Sequence, residues 1–128
     1  MRTVLFACVH NAGRSQMAAA LFNHFVDPAK ARALSAGTRP ADHVHDNVVT
    51  VMREIGIDLA HAEPRLLTPG LAAEADLLVT MGCGEDCPFV PGLAREDWPL
   101  PDPKGQGLAA VRAIRDEIAE RVHALLKV

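Results

Sequence analysis

A chain of 128 residues with 49% apolar and 23% charged side chains has room for one domain with its own core and no need of covalent staples. Its formal net charge of −3 comes without a basic block, so the electrostatic footprint of a nucleic-acid binder is absent. No apolar run approaches the ~20 residues of a membrane span, which excludes an integral membrane protein of the helical kind.

Thr3 to Ala7 is a short apolar run containing β-branched residues, which predicts a buried strand. The run is too short for a secretory leader and no small-residue cleavage site follows it, so the expected location is the cytoplasm. After a Gly-containing turn, Ser15 to Phe25 carries Met17, Ala18, Leu21, Phe22 and Phe25 at helical spacing, and Pro28 marks the end of that helix. Ala31 to Ala36 predicts a second strand, closed by Gly37. Beyond Pro40 and Asp42, Val44 to Ile55 predicts a helix with Val48, Val51, Met52 and Ile55 on one face, stopped by Gly56. Ile57 to Leu67 is expected to be loop, and Pro69 to Ala75 a short helix. Asp76 to Met81, DLLVTM, is the clearest buried strand after the first. Gly82 to Pro103 holds two cysteines and five prolines and is expected to be irregular, with a short fourth strand at Arg95 to Trp98. Gly107 to Leu126 predicts a long closing helix with a stripe of Val111, Ile114, Ile118, Val122 and Leu125.

Strands alternating with helices predict an α/β fold, a single catalytic domain over 1–128 whose four-stranded parallel sheet is flanked by helices on both faces. Ligands bind such sheets outside the carboxyl ends of the strands. Cys8 stands at that end of the first strand.

The segment Cys8 to Ser15, CVHNAGRS, separates a cysteine from an arginine by five residues and adds a serine. Between a strand and a helix, so short a loop turns the backbone N–H groups of Val9, His10, Asn11, Ala12, Gly13 and Arg14 inward as a nest for an anion. The helix beginning near Gly13 adds its positive dipole end. Arg14 supplies a bidentate fork for two oxygens of a tetrahedral anion. The same field favours the Cys8 thiolate over the thiol, and Ser15 can donate to the sulfur. Asn11 is the loop residue suited to a positive φ. His10 lies near the anion, with solvent as the alternative direction for its ring. Trp98 is expected in the core.

Three cysteines, an odd count in a reducing compartment, argue against a disulfide framework. Besides Cys8 there are Cys83 and Cys87, in MGCGEDCP after the DLLVTM strand. They are open to a redox role, to fixing their loop, or to forming half of a zinc site, although no second pair exists to complete one.

The segment Cys8 to Ala18, CVHNAGRSQMA, resembles the phosphate-binding loop of the arsenate reductases that share the low-molecular-weight tyrosine phosphatase fold. SAGT at Ser35 to Thr38, VMREIGIDL at Val51 to Leu59, DLLVTM at Asp76 to Met81 and LPDP at Leu100 to Pro103 follow in that family's order. The resemblance implies a low-molecular-weight phosphatase-like fold, with Cys8 as nucleophile and Arg14 and Ser15 as its partners. It also implies Asp102 as the general acid that protonates the leaving oxygen. The implied substrate is arsenate, with phosphate or sulfate as analogues. No bound cofactor is expected, and the electrons come from a thiol reductant.

Two departures separate the chain from the phosphatases of this fold. Those carry tyrosines after the aspartate-proline pair, where this chain has Lys104 and Gly105 and no tyrosine anywhere. They also carry proline after the arginine-serine pair, where this chain has Gln16. Arsenate reduction is therefore expected ahead of phosphate-monoester hydrolysis through phosphocysteine. A non-enzymatic oxyanion-binding module is the third possibility.

Thioredoxin-coupled relatives place two relay cysteines after the third strand, more widely spaced, with the first directly following the strand. Here Gly82 takes that first place and three residues separate Cys83 from Cys87. The shortened pattern resembles reductases that use mycothiol with a mycoredoxin, so thioredoxin or mycoredoxin is the expected protein partner. Cys87, beside Pro88, is the expected participant of the pair. Thioredoxin-coupled members also bind potassium through the loop asparagine and a glutamate of the first helix. Ala19 takes the glutamate's place, so neither that ion nor another metal is expected.

Overall fold

The computed structural model describes residues 1–82 and 90–127. Its sheet has four strands among the described residues: β1 (Arg2–Cys8), β2 (Ala31–Gly37), β3 (Leu77–Thr80) and β4 (Ala94–Asp97). Their order is β2-β1-β3-β4 and every pairing is parallel. Between them run helices α1 (Arg14–Phe25), α2 (Asp46–Arg53) and α3 (Pro69–Ala73), and α4 (Leu108–Leu126) closes the chain. No described helix is long and apolar enough to cross a membrane.

β1 lies between two strands and under helices on both faces, so Thr3 to Cys8 are all buried. Alternation along it divides the core. Val4, Phe6 and Cys8 face a cluster with Met17, Leu21 and Phe22 of α1, Val48, Val51 and Met52 of α2, and the Val111–Leu125 stripe of α4. Leu5 and Ala7 face a smaller cluster with Ala36, Leu78 and Ala72 of α3. Helices thus cover both faces, as the alternating pattern predicted. Trp98 is buried against Phe6, ring centroids 5.5 Å apart, in the core as expected.

Parallel register brings the carboxyl ends into one line. Cys8 pairs with Gly37, Ala7 with Thr80, and Thr80 with Asp97. The carboxyl ends of the four strands, Cys8 among them, therefore share one edge of the sheet.

Some boundaries differ from the sequence expectations, for physical reasons. α2 begins at Asp46 because the His45 amide is committed to the Ala12 carbonyl at 2.9 Å and His45 is extended (φ −58, ψ 137). Gly56 does turn the chain, with φ 82. The expected loop over Ile57 to Leu67 is corrected at its end: Leu66 forms a parallel bridge with Gly37. The Gly37 amide donates to the Arg65 carbonyl at 2.9 Å and the Leu67 amide to the Gly37 carbonyl at 2.8 Å. Pro64 and an exposed Leu66 give that segment no strand-like burial pattern.

Candidate active site

β1 ends at Cys8 and α1 starts at Arg14, leaving five residues to turn the chain. The carbonyls of Cys8, Val9, His10 and Ala12 accept from the amides of Thr38 (3.2 Å), Arg39 (2.8 Å), Ala41 (2.9 Å) and His45 (2.9 Å), and that of Gly13 from Met17 (3.0 Å). A trans peptide points the following N–H opposite to its carbonyl. Outward carbonyls therefore send the amides of Val9, His10, Asn11, Gly13 and Arg14 to the other side. Among the described residues no acceptor meets the amides of residues 9–16. The turn is an amide-lined cup at a helix N-terminus, which is anion-binding geometry.

Two residues let the chain make this turn. Asn11 takes φ 49, which asparagine tolerates better than most side chains. Gly37 lies so close beneath the loop that a Cβ on it would come within 2.5 Å of the Val9 carbonyl oxygen and 2.9 Å of the Asn11 nitrogen.

Cys8 is 2% exposed, with its sulfur 2.8 Å from the Ser15 hydroxyl. That hydroxyl accepts from Asn11 Nδ2 at 2.7 Å. Its own proton is then left for the sulfur, an arrangement that suits a thiolate. Asn11 Oδ1 accepts from Gln16 Nε2 at 3.2 Å and from the Arg65 amide at 3.0 Å. Gln16 Nε2 also donates to the Glu63 carbonyl at 3.4 Å.

Arg14 is buried at the first turn of α1. Its Nη1 donates to the Leu100 carbonyl at 2.9 Å, and Nη2 lies 3.8 Å from Asp102 Oδ2. Gly82, with φ 86, gives the guanidinium passage, since a Cβ there would overlap it. Asp102 is half-exposed, and its Oδ1 accepts from the Lys104 amide at 3.0 Å. Pro103 is buried over Gly13, where a Cβ would sit 2.6 Å from the proline ring. Asn47 of α2 ties this loop down, donating to the carbonyls of Pro103 (2.9 Å) and Gln106 (3.2 Å).

The expected residues Cys8, Arg14, Ser15 and Asp102 thus meet at one sheet edge, with Val9 to Gly13 forming the cup. The His10 ring sits at the rim, Nδ1 3.2 Å from the Arg39 carbonyl oxygen. Cys83 and Cys87 lie outside the described residues. His45, missed by sequence reasoning, stands beside Asp102. Burial holds its imidazole below the usual histidine range, the Asp102 carboxylate opposes that, and His10, Lys104 and His43 add to the lowering. Gln16, Arg65 and Asn47 were missed too. The only signal was the glutamine standing where the phosphatases of this fold carry proline.

The potassium site of thioredoxin-coupled relatives does not fit this donor set. Both acceptor directions of Asn11 Oδ1 are taken by N–H groups, Arg65 Nε donates to the Ser35 carbonyl at 3.0 Å, and Ala19 offers no oxygen. Among the described residues no three His, Cys, Asp or Glu side chains cluster as metal ligands.

A parallel sheet whose first strand runs through a cysteine-to-arginine anion cup into a helix defines the class of low-molecular-weight phosphatase-like proteins. Residues 3–128 match the family model described as low molecular weight phosphotyrosine protein phosphatase, and the chain belongs to that family. It is 42% identical over 125 residues to a putative arsenate reductase of Halobacterium salinarum, covering 91% of this chain and 85% of that protein. It is 33% identical over 129 residues to the glutaredoxin arsenate reductase of Synechocystis sp., covering 98% and 97%. Among solved structures it superposes on the thioredoxin-dependent arsenate reductase of Corynebacterium glutamicum with a TM-score of 0.85 at 38% identity, covering 99% of this chain. The chain spans 61% of the length of that protein.

Proposed function

We propose that the protein reduces arsenate to arsenite in the cytoplasm, acting as a single catalytic domain. The Cys8 thiolate attacks the arsenic atom held by the cup amides and the Arg14 fork. Asp102 protonates the departing oxygen, which leaves as water and closes a Cys8 sulfur–arsenic(V) bond. A second thiolate then attacks the Cys8 sulfur. The sulfur–arsenic electron pair stays with arsenic, which leaves as arsenite, reduced by two electrons while two sulfurs become a disulfide. Ser15 steadies the thiolate before attack and takes no proton itself.

The observation that carries this proposal is the hydrogen-bond polarity at Cys8, with Asn11 donating to Ser15 and every tethered carbonyl of the loop turned away. The names of the relatives support arsenate as the substrate, and the lack of tyrosine beside Asp102 supports a small inorganic anion over an aryl ester. Phosphate and sulfate are expected to compete for the cup. The second thiol is Cys87, Cys83 or a small thiol such as mycothiol, with thioredoxin or mycoredoxin restoring the reduced state.

A second proposal, hydrolysis of phosphate monoesters through phosphocysteine, is favoured by the carboxyl of Asp102 beside Arg14, which could protonate an alkoxide equally well. Arsenite formation with thioredoxin and with mycothiol systems, run beside aryl-phosphate hydrolysis, separates the two. The expected result is thiol-dependent arsenite production that Cys8→Ser abolishes. Aryl-phosphate turnover with no arsenite production would overturn arsenate reduction, and function surviving Cys8→Ser would leave only an oxyanion-binding module. Loss of turnover in Cys83→Ser or Cys87→Ser with the thioredoxin system would assign the relay. Full activity of the double variant with mycothiol would retire both.

A further inference from the structure

Gln16 is 7% exposed in the first turn of α1 and its side chain hydrogen-bonds Asn11 and Glu63 rather than the Cys8 sulfur. Its contacts act together with the Arg65 amide on the direction of the protons between it and Cys8. Side-chain amides are oriented by their partners. Arg65 N–H can only donate, so the Asn11 atom facing it at 3.0 Å is the oxygen. The Asn11 nitrogen must then face Ser15, to which it donates at 2.7 Å. At the other end, the Gln16 atom that lies 3.4 Å from the Glu63 carbonyl and 3.2 Å from Asn11 Oδ1 faces two acceptors, so it is the nitrogen.

We propose that Gln16 is a positioning residue for the nucleophile. By donating to both Asn11 and the 63–65 segment, it locks the Asn11 amide so that the Ser15 hydroxyl has no acceptor but the Cys8 sulfur. Without that clamp, Asn11 Oδ1 keeps the Arg65 amide as its single donor and the side-chain amide is held less firmly against rotation. A rotated Asn11 presents an oxygen to Ser15, and the serine proton then leaves the sulfur for the asparagine. A proline at position 16 has no side-chain donor and could not make this connection. The inference rests on Cys8 being the nucleophile, but it is tested on the sulfur alone.

The test is the rate of Cys8 alkylation by iodoacetamide at fixed neutral pH in the full chain, followed on the Cys8 peptide by mass spectrometry so that Cys83 and Cys87 do not contribute. The thiolate is the reacting form. Gln16→Met removes the donor at similar length and is expected to slow alkylation about fivefold, the size of one net hydrogen bond. Gln16→Glu keeps the shape but turns acceptors toward Asn11 Oδ1, and is expected to be slower still. In a Ser15→Ala background the Gln16→Met change is expected to do nothing more, because the path through the hydroxyl is already cut. Unchanged alkylation in Gln16→Met, a Glu variant as fast as wild type, or full additivity with Ser15→Ala overturns the proposal. If the Met variant does not fold, the Glu variant and its own combination with Ser15→Ala decide by the same criteria. The two failures are distinguishable: arsenate turnover in Cys8→Ser defeats the nucleophile itself, whereas unaltered alkylation defeats only Gln16.

Discussion

Arg14 enters the site from the first turn of α1, passes Gly82 and ends between the Leu100 carbonyl and Asp102. Its planar fork is what couples the cup to the loop that carries Asp102. A lysine would keep the charge but could not hold two oxygens and a carbonyl at once. Arg14→Lys is expected to lower kcat/KM for arsenate about a hundredfold, the scale of one lost transition-state donor, and steady-state kinetics would check it. An unchanged kcat/KM would mean that the guanidinium does not contact the substrate. At this scale the site was legible in the chain because its needs are local: a cysteine at a strand end, a short turn, an arginine at a helix start. Gln16, Arg65 and Asn47 were not legible. Their bonds join residues far apart in the chain, and no local pattern encodes such a pairing.

Two elements hold the cup from outside. The segment after β2 supplies the amides of Thr38, Arg39, Ala41 and His45, and β2 itself ends in Gly37 directly beneath Val9. Gly37→Ala puts a methyl against a carbonyl that cannot retreat without losing its bond to Arg39. It is expected to destabilise the fold by about 1–3 kcal/mol, as overpacking does, measurable by denaturant unfolding.

α2 is tied to α4 through Glu54, which accepts from Arg112 (2.7 Å from Nη2) and from Arg115 at 3.0 Å. The Arg112 hydrogen bonds hold the Glu54 carboxyl below its usual 4.5; burial opposes them, and the Arg115 hydrogen bond and the charges of both arginines add to the lowering. A depressed carboxylate contributes stability above its unfolded value and loses it as pH falls through the folded one. Glu54→Gln is therefore expected to lower stability at neutral pH and to flatten the decline on acidification below 4.5. Parallel unfolding curves for variant and wild type at both pH extremes would sink the assignment. The strand and helix periods announced α4 and β1 well, since burial there follows one stripe or one alternation. The 63–67 segment escaped because its bridge to Gly37 and its bond to Asn11 are made by backbone groups, which every residue carries alike.

The whole molecule is a sheet with unequal covers. Among the described residues, three helices close one face over a large cluster, and α3 with Leu67, Val90 and Leu93 covers the other over a small one. The outermost strand in the sheet order, β4, is built of Ala-Arg-Glu-Asp, all exposed. Charges on a terminal strand discourage pairing with another sheet. Replacing Arg95 and Glu96 by valine is expected to produce concentration-dependent self-association, visible by size-exclusion chromatography with light scattering. A variant that stays at the wild-type mass would show that the strand's charges are not what keeps copies apart. The parallel order also explains why Asp102, so distant from Cys8 in sequence, was placed near it only by family likeness: no spacing rule predicts which loop of a sheet edge folds back over the first.

The tethers of the anion cup run to neighbouring backbone and depend on nothing inside it. Their geometry is set by bonds within the fold, so occupancy need not order the chain. Uptake of an inorganic oxyanion becomes an exchange of its hydration shell for fixed dipoles, with little configurational entropy lost by the polypeptide.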